Sequence, residues 1–162
     1  MVLMSEFSRF EIYMLLNQNK PLWLSYIDLS DVDLRGVDLR GATLVHANLQ
    51  NVDLRGAVLS DTFMGGCNLT GANLVGVDLR RANLRGAILK GADLREANLA
   101  EADMVEADLS DTNLIEANLG GVDLTNANLT NADLTGTNVT DYRVLKAKSL
   151  SGTIMPDGMI HD

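Results

Sequence analysis

The groups that could carry chemistry in this chain are few: His46, His161, Cys67 and long rows of Asp and Asn. Histidine is the side chain that ordinarily titrates near neutral pH. One histidine falls on an expected outer corner and the other near the C-terminus, and the sequence contains no Ser-His-Asp or Cys-His arrangement. Cys67 stands where small inward residues otherwise recur, so its thiol is expected to pack as a small apolar group. A lone cysteine also allows no internal disulfide. The acidic rows lack clustered His or Cys, and the glycines recur singly instead of opening a helix after a strand. No catalytic residue, metal or cofactor is expected, and the chain is read as not an enzyme.

The elements that would position these groups follow from a repeat. Leucine recurs at every fifth position from Leu29 to Leu134, interrupted only by Met64 and Met104, and Val139 closes 23 consecutive repeats. Two residues before each stands a small or β-branched residue, and between the two lies Asp or Asn in 19 of 23 cases. A period of five spreads leucines around all sides of an α-helix and sends them to alternate faces of a flat strand. The backbone must therefore turn between leucines. Residues that accept positive φ, such as Gly36, Gly66 and Asn51, stand two positions after many of them.

On Ala47-Asn48-Leu49, Ala92-Asp93-Leu94 and Ala127-Asn128-Leu129 the chain resembles the pentapeptide-repeat family, and cyanobacterial members in particular. The resemblance covers residues 27–141. It implies an all-β solenoid, the right-handed quadrilateral β-helix, with four pentapeptides per coil and with the Leu and the small residue inside. Residues twenty apart then stack, so Leu94→Asp is expected to abolish folding, whereas outward changes are mild.

Residues 1–26 are expected to form an N-terminal helical cap and residues 142–162 a C-terminal cap or tail. Ser8 and Glu11 have capping-box spacing, and Phe7, Phe10, Met14 and Leu15 share one face of a helix over 5–19 that Pro21 ends. Trp23, Leu24 and Tyr26 are expected to plug the first coil. Tyr142 to Lys148 read as a turn or helical turn, and the Pro156-Asp157-Gly158 stretch as a small hairpin. Covered ends imply a monomer; a dimer through the C-terminal end, as in gyrase-binding relatives, is the alternative. The sequence lacks a secretory signal pattern and a charge-free transmembrane stretch, so a cytoplasmic location is expected.

With a formal net charge of −9, the chain is not expected to bind nucleic acid or membrane directly, and any electrostatic partner should be basic. Residues 96–141 hold ten acids and no base, whereas 27–95 hold eight of each. Arg80, Arg85, Lys90 and Arg95 each precede an acid by 21 residues, at Glu101, Glu106, Asp111 and Glu116, and Arg40 precedes Asp61 in the same way. This spacing predicts a belt of ion pairs between coils.

The repeat is least regular at Val58 and Phe63, which replace outward Asp or Asn, as Ile88 does later. Val45, Val58 and Phe63 are expected near one another around a corner, as an exposed apolar spot suited to docking. Val45, Val58, Phe63, Ile88, Glu96, Glu101, Glu106, Asp111 and Glu116 are the candidate interaction residues. The leading reading is a non-enzymatic protein–protein interaction scaffold of unidentified target. The alternative, by similarity to quinolone-resistance relatives, is a DNA mimic that binds DNA gyrase. The uninterrupted repeats lack the inserted loop that several such relatives use.

Overall fold

The structure, a computed structural model, describes residues 21–161; the helix expected over 5–19 lies outside them. From Trp23 onward the chain advances in coils of twenty residues. Parallel bridges join positions twenty apart without a slip, from Trp23 with Thr43 to Asn113 with Asp133. Four turns close each coil, so four walls recur. The first carries Trp23, Thr43, Phe63 and Asn83 in one row, and the second Asp28, Asn48, Asn68 and Ile88. The third carries Asp33, Asp53, Asn73 and Asp93, and the fourth Asp38, Val58, Asp78 and Asn98.

Each repeat binds its coil to the next through three main-chain hydrogen bonds. Leu49 N–H donates to Asn68 C=O at 2.7 Å, Asn51 N–H to Thr70 C=O at 2.9 Å, and Asn68 N–H to Ala47 C=O at 2.9 Å. The turn is closed locally by Ala47 N–H donating to Leu44 C=O at 3.0 Å, with His46 at φ 56°. Among the described residues thirteen non-glycine residues hold this left-handed corner conformation, three of them asparagine and the others including the bulkier Glu96, Glu101, Glu106 and Glu116. Such residues carry a steric cost that asparagine and glycine largely avoid.

This pattern leaves one donor per repeat unused, the N–H that follows the leucine. The outward Asp or Asn supplies the acceptor: Asp78 Oδ1 takes the Arg80 N–H at 3.2 Å, and Asn68 Oδ1 takes the Thr70 N–H at 3.0 Å. The near-invariant Asp or Asn before each leucine is thus explained by backbone satisfaction rather than by chemistry.

Inside, the leucines from Leu29 to Leu134 are all buried, as are Met64 and Met104, with the small residues packed between them. Each buried leucine contributes roughly 2 kcal/mol of transfer free energy. Leu22 and Leu24 are buried in the same way, so they occupy the two inward positions of a first coil. Trp23 and Tyr26 do not plug it. They are 78% and 76% exposed, because they stand at the outward and corner positions of that repeat.

The C-terminal end departs from the twenty-residue pitch. Helix α1, Asp141–Val144, is followed by strands β1, Thr153–Ile154, and β2, Ile160–His161, paired antiparallel across the Pro156-Asp157-Gly158 turn as the sequence predicts. Here the bridges span 21 residues, Asn128 with Ser149 and Asp133 with Ile154. Val144 is fully buried and fills the end of the core.

Candidate interaction surface

With the interior filled by Leu and Ala, recognition falls to the walls, corners and tip. Phe63 is 53% exposed in the row of Trp23 and Thr43 on the first wall. Val45, half-buried, lies on the neighbouring strand of that wall, and Leu44 N–H donates to Phe63 C=O at 2.7 Å. At the adjoining corner the rings of Tyr26 and His46 approach to 5.4 Å between centroids. Val58, half-buried, sits one wall back, before the corner at Asp61, and Ile88, exposed, stands on the second wall between Asn68 and Asp108. The structure therefore brings Phe63 and Val45 together on one wall and spreads Val58 and Ile88 over two others. It adds Trp23 and Tyr26, which the sequence reading placed inside. The signal for their position was present, since Leu24 continues the five-residue series one step before Leu29.

Val58, Phe63 and Ile88 share a second property. Their side chains have no acceptor, so the N–H groups of Ser60, Gly65 and Lys90 lose the side-chain partner that Asp or Asn provides elsewhere. Each replacement forgoes about 1 kcal/mol of hydrogen bonding. The apolar side chains thus break a local rule of the repeat.

The belt of ion pairs is corrected by the structure. Of the five pairs at a spacing of 21, only Lys90 with Asp111 comes within 4 Å, at 3.7 Å. The reason is a shorter reach within each repeat. Where the sequence reads Asp-Leu-Arg, the guanidinium folds back onto the Asp two residues before it, at 2.7 Å for Arg35–Asp33, Arg80–Asp78 and Arg95–Asp93, and likewise for Arg40–Asp38 and Arg55–Asp53. Arg85 and Lys90 follow Asn83 and Ile88, lack that Asp, and reach across coils, Arg85 to Asp103 at 3.3 Å. Arg81 also bridges coils, gripping Asp61 at 2.7 Å.

The Arg side-chain hydrogen bonds hold the carboxyls of Asp53, Asp78 and Asp93 below the ordinary carboxylate value, and Arg81 does the same for Asp61. Glu96, Glu101, Glu106, Asp111 and Glu116 occupy successive corners, each exposed, and of these only Asp111 has a cation within 4 Å.

Cys67 is fully buried, and burial pushes its thiol up to about 12. His46 lies over Gly66, with Nδ1 3.4 Å from the Gly66 carbonyl oxygen. A groove on the second wall, lined by Glu106, Asp108, Asn128 and Lys148, opens to solvent, as does another at the C-terminal tip between Leu145, Met155 and Met159. Neither brings a nucleophile to a base. Among the described residues no group of three or more His, Cys, Asp or Glu is placed to hold a metal ion, and no helix is long and apolar enough to cross a membrane.

The profile of the pentapeptide repeats matches in eight copies over residues 24–61, 64–100 and 102–141. The chain belongs to the pentapeptide-repeat family, whose members fold as right-handed quadrilateral β-helices and are generally non-enzymatic structural or interaction proteins. Among solved structures it is similar to trypsin-treated QnrB1, a plasmid-mediated fluoroquinolone resistance protein. That match has 20% identity over 83% of this chain and 78% of that one, with a TM-score of 0.61, a likeness of fold alone. It is also similar to HetL, involved in heterocyst differentiation regulation in the cyanobacterium Nostoc sp. strain PCC 7120. The identity there is 26% over 86% of this chain and 81% of that one, with a TM-score of 0.45. A pentapeptide repeat protein of the Arabidopsis thaliana thylakoid lumen is 28% identical over 75% and 71%, with a TM-score of 0.31. No curated protein matches the sequence.

Proposed function

We propose that this chain, a capped right-handed quadrilateral β-helix, is a cytoplasmic, monomeric and non-enzymatic scaffold that docks a protein partner on its walls, with no direct role for nucleic acid or membrane. The observation that carries this reading is Phe63. It projects from the first wall beside Val45, in line with Trp23, at a position where nearly every other repeat keeps Asp or Asn for its own backbone. A residue that gives up a hydrogen bond to face solvent gains little for folding and much for apolar contact. The filled core supports a surface function over catalysis, which needs a concave site that excludes water. Affinity capture from the source cell tests it: Phe63→Asp should release a partner that the wild-type chain retains, while circular dichroism stays unchanged and Tm does not fall. Retention of the same partner by Phe63→Asp removes the proposal.

A second reading is favoured by the acidic corners. Among the described residues Glu96, Glu101, Glu106 and Glu116 have no cation within 4 Å, so they form an uncompensated ring of acidic corners around one coil, with Glu116 stacked on Glu96, that a basic surface could accept in place of duplex DNA. On that reading the partner is a DNA gyrase. Purified protein should then inhibit or protect gyrase in a supercoiling assay, and Glu101→Lys with Glu106→Lys should cancel the effect. No effect on supercoiling at any protein concentration leaves the scaffold reading alone.

A further inference from the structure

A stack of coils ends in an edge of unpaired donors and acceptors, which is a template for another coil. The C-terminal edge of this rod closes differently on each wall. On the fourth wall no strand follows. The Asn138 side chain takes its place, with Oδ1 accepting the Leu119 N–H at 2.6 Å and Nδ2 donating to Asn118 Oδ1 at 2.7 Å. On the first wall the Arg143 guanidinium donates to Val122 C=O at 2.6 Å, in the position where a further coil would donate a backbone N–H. On the second and third walls the chain does add a rung. Leu129 N–H donates to Ser149 C=O at 3.0 Å, and Ile154 N–H to Ala132 C=O at 2.9 Å.

That extra rung is made unusable in two ways. It is reached through a pitch of 21 residues, which sets it out of register with a coil of twenty. On the third wall it is then covered by β2, which runs antiparallel to β1 with Ile154 opposite Ile160 and Thr153 opposite His161, whereas every rung of the rod is parallel.

We infer that residues 137–161 are a stop that prevents the rod from templating a second rod end to end, with Asn138 and Arg143 as the two residues that end growth by side chain instead of by strand. The apolar outer face of the stop, where Tyr142, Leu145, Met159 and Ile160 are exposed, lies beyond these closures. Contacts made there yield at most closed assemblies of fixed mass.

The test uses the full chain. Asn138→Ala with Arg143→Ala reopens the fourth and first walls, and Ile154→Pro deletes the donor that holds the third. Light scattering over a concentration series should give a constant mass for the wild type, as monomer or closed dimer, and a larger mass for the combined variant, whose reopened C-terminal edge can pair with that of a second copy. A combined variant that is folded by circular dichroism yet keeps the wild-type mass overturns the inference. Should the combined variant not fold, amide exchange at Leu119 in the Asn138→Ala, Arg143→Ala chain decides. Acceleration of roughly tenfold is expected for loss of one protecting hydrogen bond, and an unchanged rate overturns the role of Asn138.

Discussion

Arg80 closes on Asp78 two residues before it, with Nη2 2.7 Å from Oδ2 and Nε 2.8 Å from Oδ1, and leaves Glu101 of the next coil without that cation. The same carboxylate also accepts the Arg80 N–H, so one Asp side chain serves the backbone and the guanidinium at once. Asp78→Ala should therefore destabilise the rod by about 1 kcal/mol, while Asp78→Asn, which keeps the acceptor, should cost less. Urea unfolding of the two variants checks this order, and equal losses would show that the ion pair rather than the backbone bond carries the effect.

Stability should fall on the acid side. Asp53, Asp78 and Asp93 are held low by Arg side-chain hydrogen bonds, and Asp28 and Asp123 by the hydroxyls of Ser30 and Thr125. A carboxyl whose folded pKa lies below its unfolded value, about 3.9, contributes stability above that value and loses it as pH drops through the folded one. Tm should be level from about pH 5 to 8 and decline below about pH 4. The decline should be shallower in an Asp53→Asn, Asp78→Asn, Asp93→Asn chain. A triple variant with the wild-type acid slope would assign acid sensitivity to other groups.

The corners make opposite predictions for two neighbouring types. At Gly66, φ 64°, an added Cβ would come 2.5 Å from the His46 imidazole, so Gly66→Ala combines backbone strain with a displaced ring and should lower Tm. At Glu101, φ 62°, a bulky residue already holds the left-handed conformation. Glu101→Gly should be neutral or raise stability by up to about 1 kcal/mol, steric relief being offset by the entropy of glycine in the unfolded chain. Thermal melts of both variants test the pair.

The interior was legible in the sequence because a period of five leaves one arrangement for Leu and the small residue two before it, and the structure buries the leucines throughout and the small residues at every repeat but those of Val32 and Val37, which are partly buried. The outward row was legible in type but not in purpose. The Asp-Leu-Arg triplets at 33–35, 78–80 and 93–95 already contained the local grip, yet a spacing of 21 looked equally able to pair charges. Reach decided between them: a partner on the same strand face is nearer than one across a coil and around a corner. The apolar character of Trp23 and Tyr26 points inside, whereas their register places them outside. The closing of the rod at Asn138 and Arg143 could not be read ahead, because those side chains replace a strand and leave no repeat to recognise.

The measurement nearest the centre of the account is engineered cross-linking of stacked positions, carried out with Cys67 replaced by Ala to remove the native thiol. Adjacent coils lie about 4.8 Å apart, within the Cα separation a disulfide accepts, so cysteines at Gln50 and Thr70 should oxidise to one intramolecular bond. Cysteines at Gln50 and Arg55, one repeat apart around a corner, should not. A bond that forms at five residues and fails at twenty would contradict the twenty-residue coil, and with it the filled core and the walls on which recognition is placed.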